Sequence, residues 1–132
     1  MAQPSLDEVI RAAEFRTALR RFMRQSEKVA SRHGLTPQRY LLLLMIRGAP
    51  DRSQRSTVTE LTDRLQLAQH TVTELVSRAE HAGLIRREAS ARDRRIAYLR
   101  LTPMGEQHLA RSFTDLRGDR VALRRLVARL RS

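Results

Sequence analysis

Apolar residues recur at helical spacing along most of the chain. Phe15, Leu19, Phe22 and Met23 share one face, and Leu6, Ile10 and Ala13 continue it. Ser5 followed by Glu8 has the spacing of a capping box. A first helix is therefore expected to about Arg32, with Gly34 as its stop. The stretch "LTPQRYLLLLMIRG" reads as a second helix. Thr36 is a good N-cap, Pro37 suits the first helical position, and Gly48 supplies the stop. The run Leu41 to Ile46 would also suit a buried strand, but the Thr-Pro start favours a helix buried on most sides.

"APDRSQRS" reads as a loop. "TVTELTDRLQL" then pairs Thr57 with Glu60 as a second capping box, and Val58, Leu61 and Leu65 make one face. A turn at Gln66-Leu67-Ala68 leads into "QHTVTELVSRAEHAG". There Val72, Leu75, Val76 and Ala79 form an inward stripe and Gly83 is the stop. Two short helices joined by a tight turn form a helix-turn-helix. "LIRRE" and "RIAYLRLT" alternate like strands around the loop "ASARD". The tip lacks Asn-Gly or Gly-Gly, so a longer, mobile hairpin loop is expected.

Thr102 and Pro103 restart a helix. Leu109, Phe113, Leu116, Leu123, Val127 and Leu130 follow a heptad-like seam, interrupted at Arg120. One long helix is expected, which Gly118 either kinks or splits in two. Its basic face carries Arg117, Arg120, Arg124, Arg125 and Arg131. The fold class is thus mainly α with a small β-hairpin wing: a winged helix-turn-helix flanked by helices. Residues 35–102 form the winged lobe, and residues 1–34 with 103–132 form a helical region, within one compact domain overall.

Composition sharpens this picture. The chain has 132 residues with 41% hydrophobic and only 4% aromatic content, so its core is aliphatic. The formal charge is +12, and Lys28 is the sole lysine among 26 basic residues. Such a balance points to a polyanion partner. The bland alternative is solubility plus a preference for arginine. There is no cysteine, which excludes disulfides, thiolate catalysis and Cys-ligated metal. The segment "MAQPSLDEVIRAAEF" lacks the apolar run of a signal peptide, and the longest apolar run, Tyr40 to Ile46, is too short to span a bilayer. A cytoplasmic location without membrane association is expected.

Three pieces, "LTPQRYLLL" (35–43), "TVTELTDRLQLAQHTVTELVSRAEHAGLIRR" (57–87) and "ARDRRIAYLRLTPMG" (91–105), resemble the MarR family of bacterial transcription regulators. The Asp-Arg-Arg before a strand and then Leu-Thr-x-x-Gly is the most specific piece. The resemblance implies an obligate homodimer built by interdigitating terminal helices. It implies a recognition helix in the major groove of double-stranded DNA, at a pseudo-palindromic operator, and a wing in the adjacent minor groove. It also implies a small phenolic or lipophilic effector between the dimerisation helices and the DNA-binding lobe. Lining residues for such an effector would come from Phe15, Leu19, Phe22, Tyr40, Leu44 and Phe113; the bland alternative is plain core and dimer seam. The region after residue 102 looks shorter than is usual in the family, with one long helix where relatives often have two.

The residues carry a DNA reading of their own. A recognition helix needs polar side chains on its outer face, mostly near its N-terminus. Gln69, His70, Thr71, Thr73, Ser77 and Arg78 meet that need. Thr57, at another helix start, is expected to offer a phosphate its N–H and hydroxyl. Glu74 is open: it accepts from a cytosine amino group, repels phosphates, or faces Arg78 four residues on. In the wing, Arg92, Arg94 and Arg95 suit the focused potential of a minor groove, and Asp93 can fork-bind Arg95 and hold its pose. The bland alternative is a solvated hairpin tip touching phosphates only.

Two positions depart from the family pattern. Gln66 stands where such turns often have glycine, and Ala68 stands where a Ser or Thr N-cap is usual.

No enzyme is expected. His33, His70, His81 and His108 show no metal-ligand spacing, although some family members use positions such as that of His108 for zinc. No Gly-rich phosphate loop, nucleophile elbow or convincing carboxylate pair occurs. No cofactor is expected. The competing reading is a winged-helix interaction module that binds a protein or RNA.

Overall fold

The computed structural model describes residues 2–130; Met1, the side chain of Leu130, Arg131 and Ser132 lie outside it, and with them two expectations about the C-terminal seam and basic face. The chain runs α1 (Leu6–Arg32), α2 (Pro37–Arg47), β1 (Arg55–Ser56), α3 (Val58–Leu65), α4 (Gln69–His81), β2 (Ile85–Ala89), β3 (Ala97–Leu101), α5 (Pro103–Asp115) and α6 (Arg117–Leu130).

Side-chain caps fix the starts of α1, α2, α3 and α5. Ser5 Oγ accepts from the Glu8 N–H while the Glu8 carboxylate accepts from the Ser5 N–H. Thr57 and Glu60 do the same for α3. Thr36 and Thr102 cap α2 and α5, each with proline behind it. These bonds satisfy N–H groups that the helix itself leaves unpaired, typically for about 1 kcal/mol each.

The sheet has the order β1-β3-β2 and is antiparallel throughout. Arg55 faces Arg100 across β1 and β3, and Arg87 faces Leu99 across β2 and β3. The segment expected as a loop up to Ser56 ends in a short strand, so the wing hairpin rests on a third strand. The connection between β2 and β3 runs over residues 90–96, longer than "ASARD", because Arg95 and Ile96 belong to the loop.

Of the two outcomes left open for the C-terminal helix, a kink or a split, the split is present. The break falls at Leu116 rather than Gly118, which lies within α6. Arg120 holds the break: its guanidinium donates to the Phe113 carbonyl at 2.5 Å and lies 3.4 Å above the Phe113 ring. The seam divides accordingly. Leu109 and Leu116 are buried, whereas Phe113 and Val127 are exposed.

The core is aliphatic and continuous. Leu42, Leu43 and Ile46 of α2 meet Leu61 of α3, Val72, Val76 and Ala79 of α4, and Leu99 of β3. Val29 and Ala30 from α1 and Leu109 from α5 complete it, so residues outside 35–102 help to build the winged lobe. Toward its N-terminus α1 leaves the core, and Leu6, Val9 and Ile10 are exposed. Farther along, α1 packs against α6.

Candidate nucleic-acid interface

The turn between α3 and α4 aims the second helix outward. Gln66 takes the left-handed conformation, φ 56°, that the sequence comparison with glycine anticipates. An L-residue resists this conformation by about 1 kcal/mol. The Gln66 side chain donates from Nε2 to the Asp63 carbonyl at 2.5 Å, which offsets part of that cost. Ala68 is the N-cap of α4 and supplies no side-chain bond.

Along α4 the inward stripe expected from the sequence is buried: Val72, Leu75, Val76 and Ala79. Gln69, His70, Thr73, Glu74, Ser77 and Arg78 are exposed on the outer side, and Thr71 is half-buried at its edge. Glu74 faces Arg78, with Nη2 to Oε1 at 2.6 Å. This pair is one of the three possibilities for Glu74; the other two involve DNA.

Thr57 differs from its expected role. Its N–H donates to the Glu60 carboxylate at 3.0 Å and its hydroxyl oxygen accepts from the Glu60 N–H. The hydroxyl proton is what remains to offer a phosphate.

The wing tip is organised by short side chains. Ser90 Oγ accepts from the N–H groups of Arg92 and Asp93 at 3.2 and 3.3 Å. Asp93 Oδ1 accepts from the backbone N–H and the Nε of Arg95 at 3.0 and 3.1 Å, and Oδ2 accepts from Nη2 at 3.0 Å. The Arg95 side chain is 90% exposed, so the fork holds it in water rather than in the core. Arg95 keeps the Asp93 carboxyl below the usual aspartate range, first through its guanidinium bonds and then through its backbone N–H. The guanidinium bonds also raise the Arg95 pKa. Arg92 and Arg94 are exposed at the tip.

Two arrangements escaped the sequence reading. At the wing base, half-buried Glu88 meets Arg100 at 3.1 Å, Arg55 at 3.3 Å and Arg86 at 3.9 Å. Arg55 also lies 3.9 Å over the Tyr98 ring. This cluster joins β1 to the hairpin. Second, Arg64 of α3 donates to the Met45 carbonyl at 2.6 Å and to the buried Ser56 hydroxyl. It ties α3 to the end of α2 and to β1. Both depend on partners far along the chain, so no local spacing announces them.

The six residues expected around an effector do not share one cavity within the chain. Leu44 and Phe113 line a cleft of about 330 Å3 between α2 and α5, rimmed by the Arg47–Glu106 pair. Phe22 lines a separate groove between α1 and α6. Phe15 and Leu19 are half-buried on α1, and Tyr40 is in the core, where burial raises its pKa. His33 Nε2 lies 2.6 Å from the Asp115 carboxylate, and His108 Nδ1 lies 3.0 Å from the His33 carbonyl. Among the described residues no three His, Asp or Glu side chains converge on a point where a metal would sit. No helix among them is long and apolar enough to cross a membrane.

The comparisons with known proteins fit this geometry. The MarR family model matches residues 33–96. No curated protein matches the chain. Among solved structures, the chain is similar to AbsC, a MarR family transcriptional regulator from Streptomyces coelicolor. The identity is 22%, the TM-score 0.72, and the match covers 98% of this chain and 84% of AbsC. A MarR family protein from Bacillus stearothermophilus superposes with TM-score 0.77 at 22% identity, covering 92% of this chain and 82% of that one. A MepR variant from S. aureus, bound to an oligodeoxyribonucleotide, gives TM-score 0.67 at 19% identity, covering 85% of this chain and 80% of that one.

Proposed function

We propose a function for a chain whose winged-helix segment, residues 33–96, belongs to the MarR family: it is a transcriptional regulator that binds double-stranded DNA in a sequence-specific manner, as a homodimer. Helix α4 enters the major groove and the wing reaches an adjacent minor groove. The observation that carries this reading is the joint exposure of two reading elements on a single rigid core. One is the polar stripe of α4 above its buried face. The other is the arginine tip of the wing, pre-set by Asp93. Two parallel bonds hold the Arg95 guanidinium in one pose, which suits its delivery to a narrow anionic groove.

Gln69 is assigned to base edges near the start of α4, where a recognition helix approaches closest. His70, Thr71, Thr73, Ser77 and Arg78 share that role or contact flanking phosphates, and Thr57 contributes its hydroxyl. Arg92, Arg94 and Arg95 serve the minor groove. Residues 1–34 and 103–132 form the dimerisation region. In support, Leu6, Val9, Ile10 and Val127 expose large apolar side chains there. The cleft lined by Leu44 and Phe113 is the place assigned to a small lipophilic or phenolic effector.

Selection of bound duplexes from a random pool tests the function. The expected product is a sequence with two half-sites about one helical turn apart. A pool that emerges without sequence preference overturns the reading in favour of a protein- or RNA-binding module.

A further inference from the structure

Helix α4 has 13 residues, so it is about 20 Å long at ~1.5 Å per residue. The major groove is only ~12 Å wide. A helix that sets its first turns on base edges and lies across the groove carries its last turn to the groove wall, where backbone phosphates stand. The outward stripe of α4 does continue there: Ser77, Arg78 and His81 follow Gln69, His70, Thr73 and Glu74 along one side.

At that end a second element arrives. Arg39, in the first turn of α2, lines a shallow cleft together with Ser77, Arg78, His81 and Ala82. No carboxylate lines this cleft. Arg39 is half-buried, and its guanidinium makes no ion pair among the described residues. Its backbone N–H is already taken by the Thr36 hydroxyl, 3.1 Å away, so the side chain alone is available. That bond also fixes where the side chain starts, in the first turn of a capped helix packed on the core. An arginine held partly out of water and left without a counterion is an incomplete anion site.

We propose that Arg39, with Ser77 and His81 around it, clamps one DNA backbone phosphate beside the C-terminal end of α4. Arg39 reads no base. It is a positioning residue that anchors the C-terminal end of α4 to the backbone, while the base contacts of Gln69 set the register. The proposal rests on α4 being the helix in the major groove.

The test uses the full chain and a duplex selected as above, with affinity measured across salt concentrations. Each phosphate contact releases counterions and contributes about 0.9 to the slope of log affinity against log salt, or about eightfold in affinity at ~0.1 M salt. R39Q is expected to lower affinity by about that factor per protomer and to reduce the slope by about 1 per protomer. The rank order of operator variants should stay unchanged, and R39K should restore part of the slope. On the wild-type protein, methylphosphonates at the flanking phosphate of both half-sites should reproduce the loss, and they should add nothing in R39Q.

If R39Q keeps the wild-type slope while Gln69→Ala still changes base preference, the clamp is wrong and the groove assignment stands. An altered base preference in R39Q also overturns the clamp, because Arg39 would then be reading sequence. If Gln69→Ala changes no preference, both readings fail together.

Discussion

Asp93 holds Arg95 by two parallel bonds, Nε to Oδ1 at 3.1 Å and Nη2 to Oδ2 at 3.0 Å, while also accepting the Arg95 backbone N–H. Two opposing effects meet in this pair. Asp93 is a negative charge close to DNA, which disfavours binding. It also orders the guanidinium that enters the groove. If ordering dominates, D93A weakens binding by roughly two- to fivefold, the range in which exposed ion pairs act. Tighter binding of D93A in a titration would show that the repulsion of its charge outweighs the ordering it provides.

The pH dependence of this pair has a definite sign. Arg95 keeps the Asp93 carboxyl below its ordinary value. Its contribution is therefore complete above the ordinary aspartate range and disappears as pH falls through the depressed value. Between about pH 5 and 8 the wing should be insensitive to this group. NMR spectra followed down in pH should show the Arg95 Nε–H resonance move only in the acid range. A shift near neutrality would contradict the pairing.

The α3–α4 turn carries two separable costs. Gln66→Gly relieves a left-handed L-residue and is expected to stabilise the fold by about 1 kcal/mol, less what its bond to the Asp63 carbonyl contributes. Ala68→Ser provides the missing N-cap for another ~1 kcal/mol. Urea unfolding measures both. Destabilisation by Gln66→Gly would mean that the side-chain bond outweighs the strain.

Gly105 and Gly118 should respond oppositely to alanine. A Cβ on Gly105 would lie 2.1 Å from the Leu84 carbonyl oxygen, a backbone atom that cannot step aside. Gly105→Ala is expected to cost about 3 kcal/mol or more. A Cβ on Gly118 meets nothing within 4 Å, so Gly118→Ala should be neutral or stabilise α6 by up to ~1 kcal/mol. Thermal unfolding of the two variants checks the contrast, and equal effects would contradict it.

These residues also show what the chain announces locally. Each expected cap is present as a bond, at Ser5, Thr36, Thr57 and Thr102, because capping depends on residues three apart. The buried stripe of α4 and the fork of Asp93 on Arg95 are likewise short-range. Strand β1 is not: two residues cannot show alternation, and they become a strand only by pairing with Arg100 and Leu99. The break at Leu116 has no glycine or proline at its centre and is held by Arg120 on Phe113. The contacts of Glu88 and Arg64 join distant segments, so only the folded chain brings them together. Arg39 belongs with these, since its cleft forms between α2 and α4.

The sharpest measurement is base discrimination by wild type and Gln69→Ala on a set of single-position variants of the selected duplex. If α4 reads the major groove, Gln69→Ala relaxes discrimination at one base pair per half-site, by about 1–3 kcal/mol, and leaves the other positions as they were. A uniform loss across all variants, or no loss at any, would contradict the assignment of α4 as the reading helix.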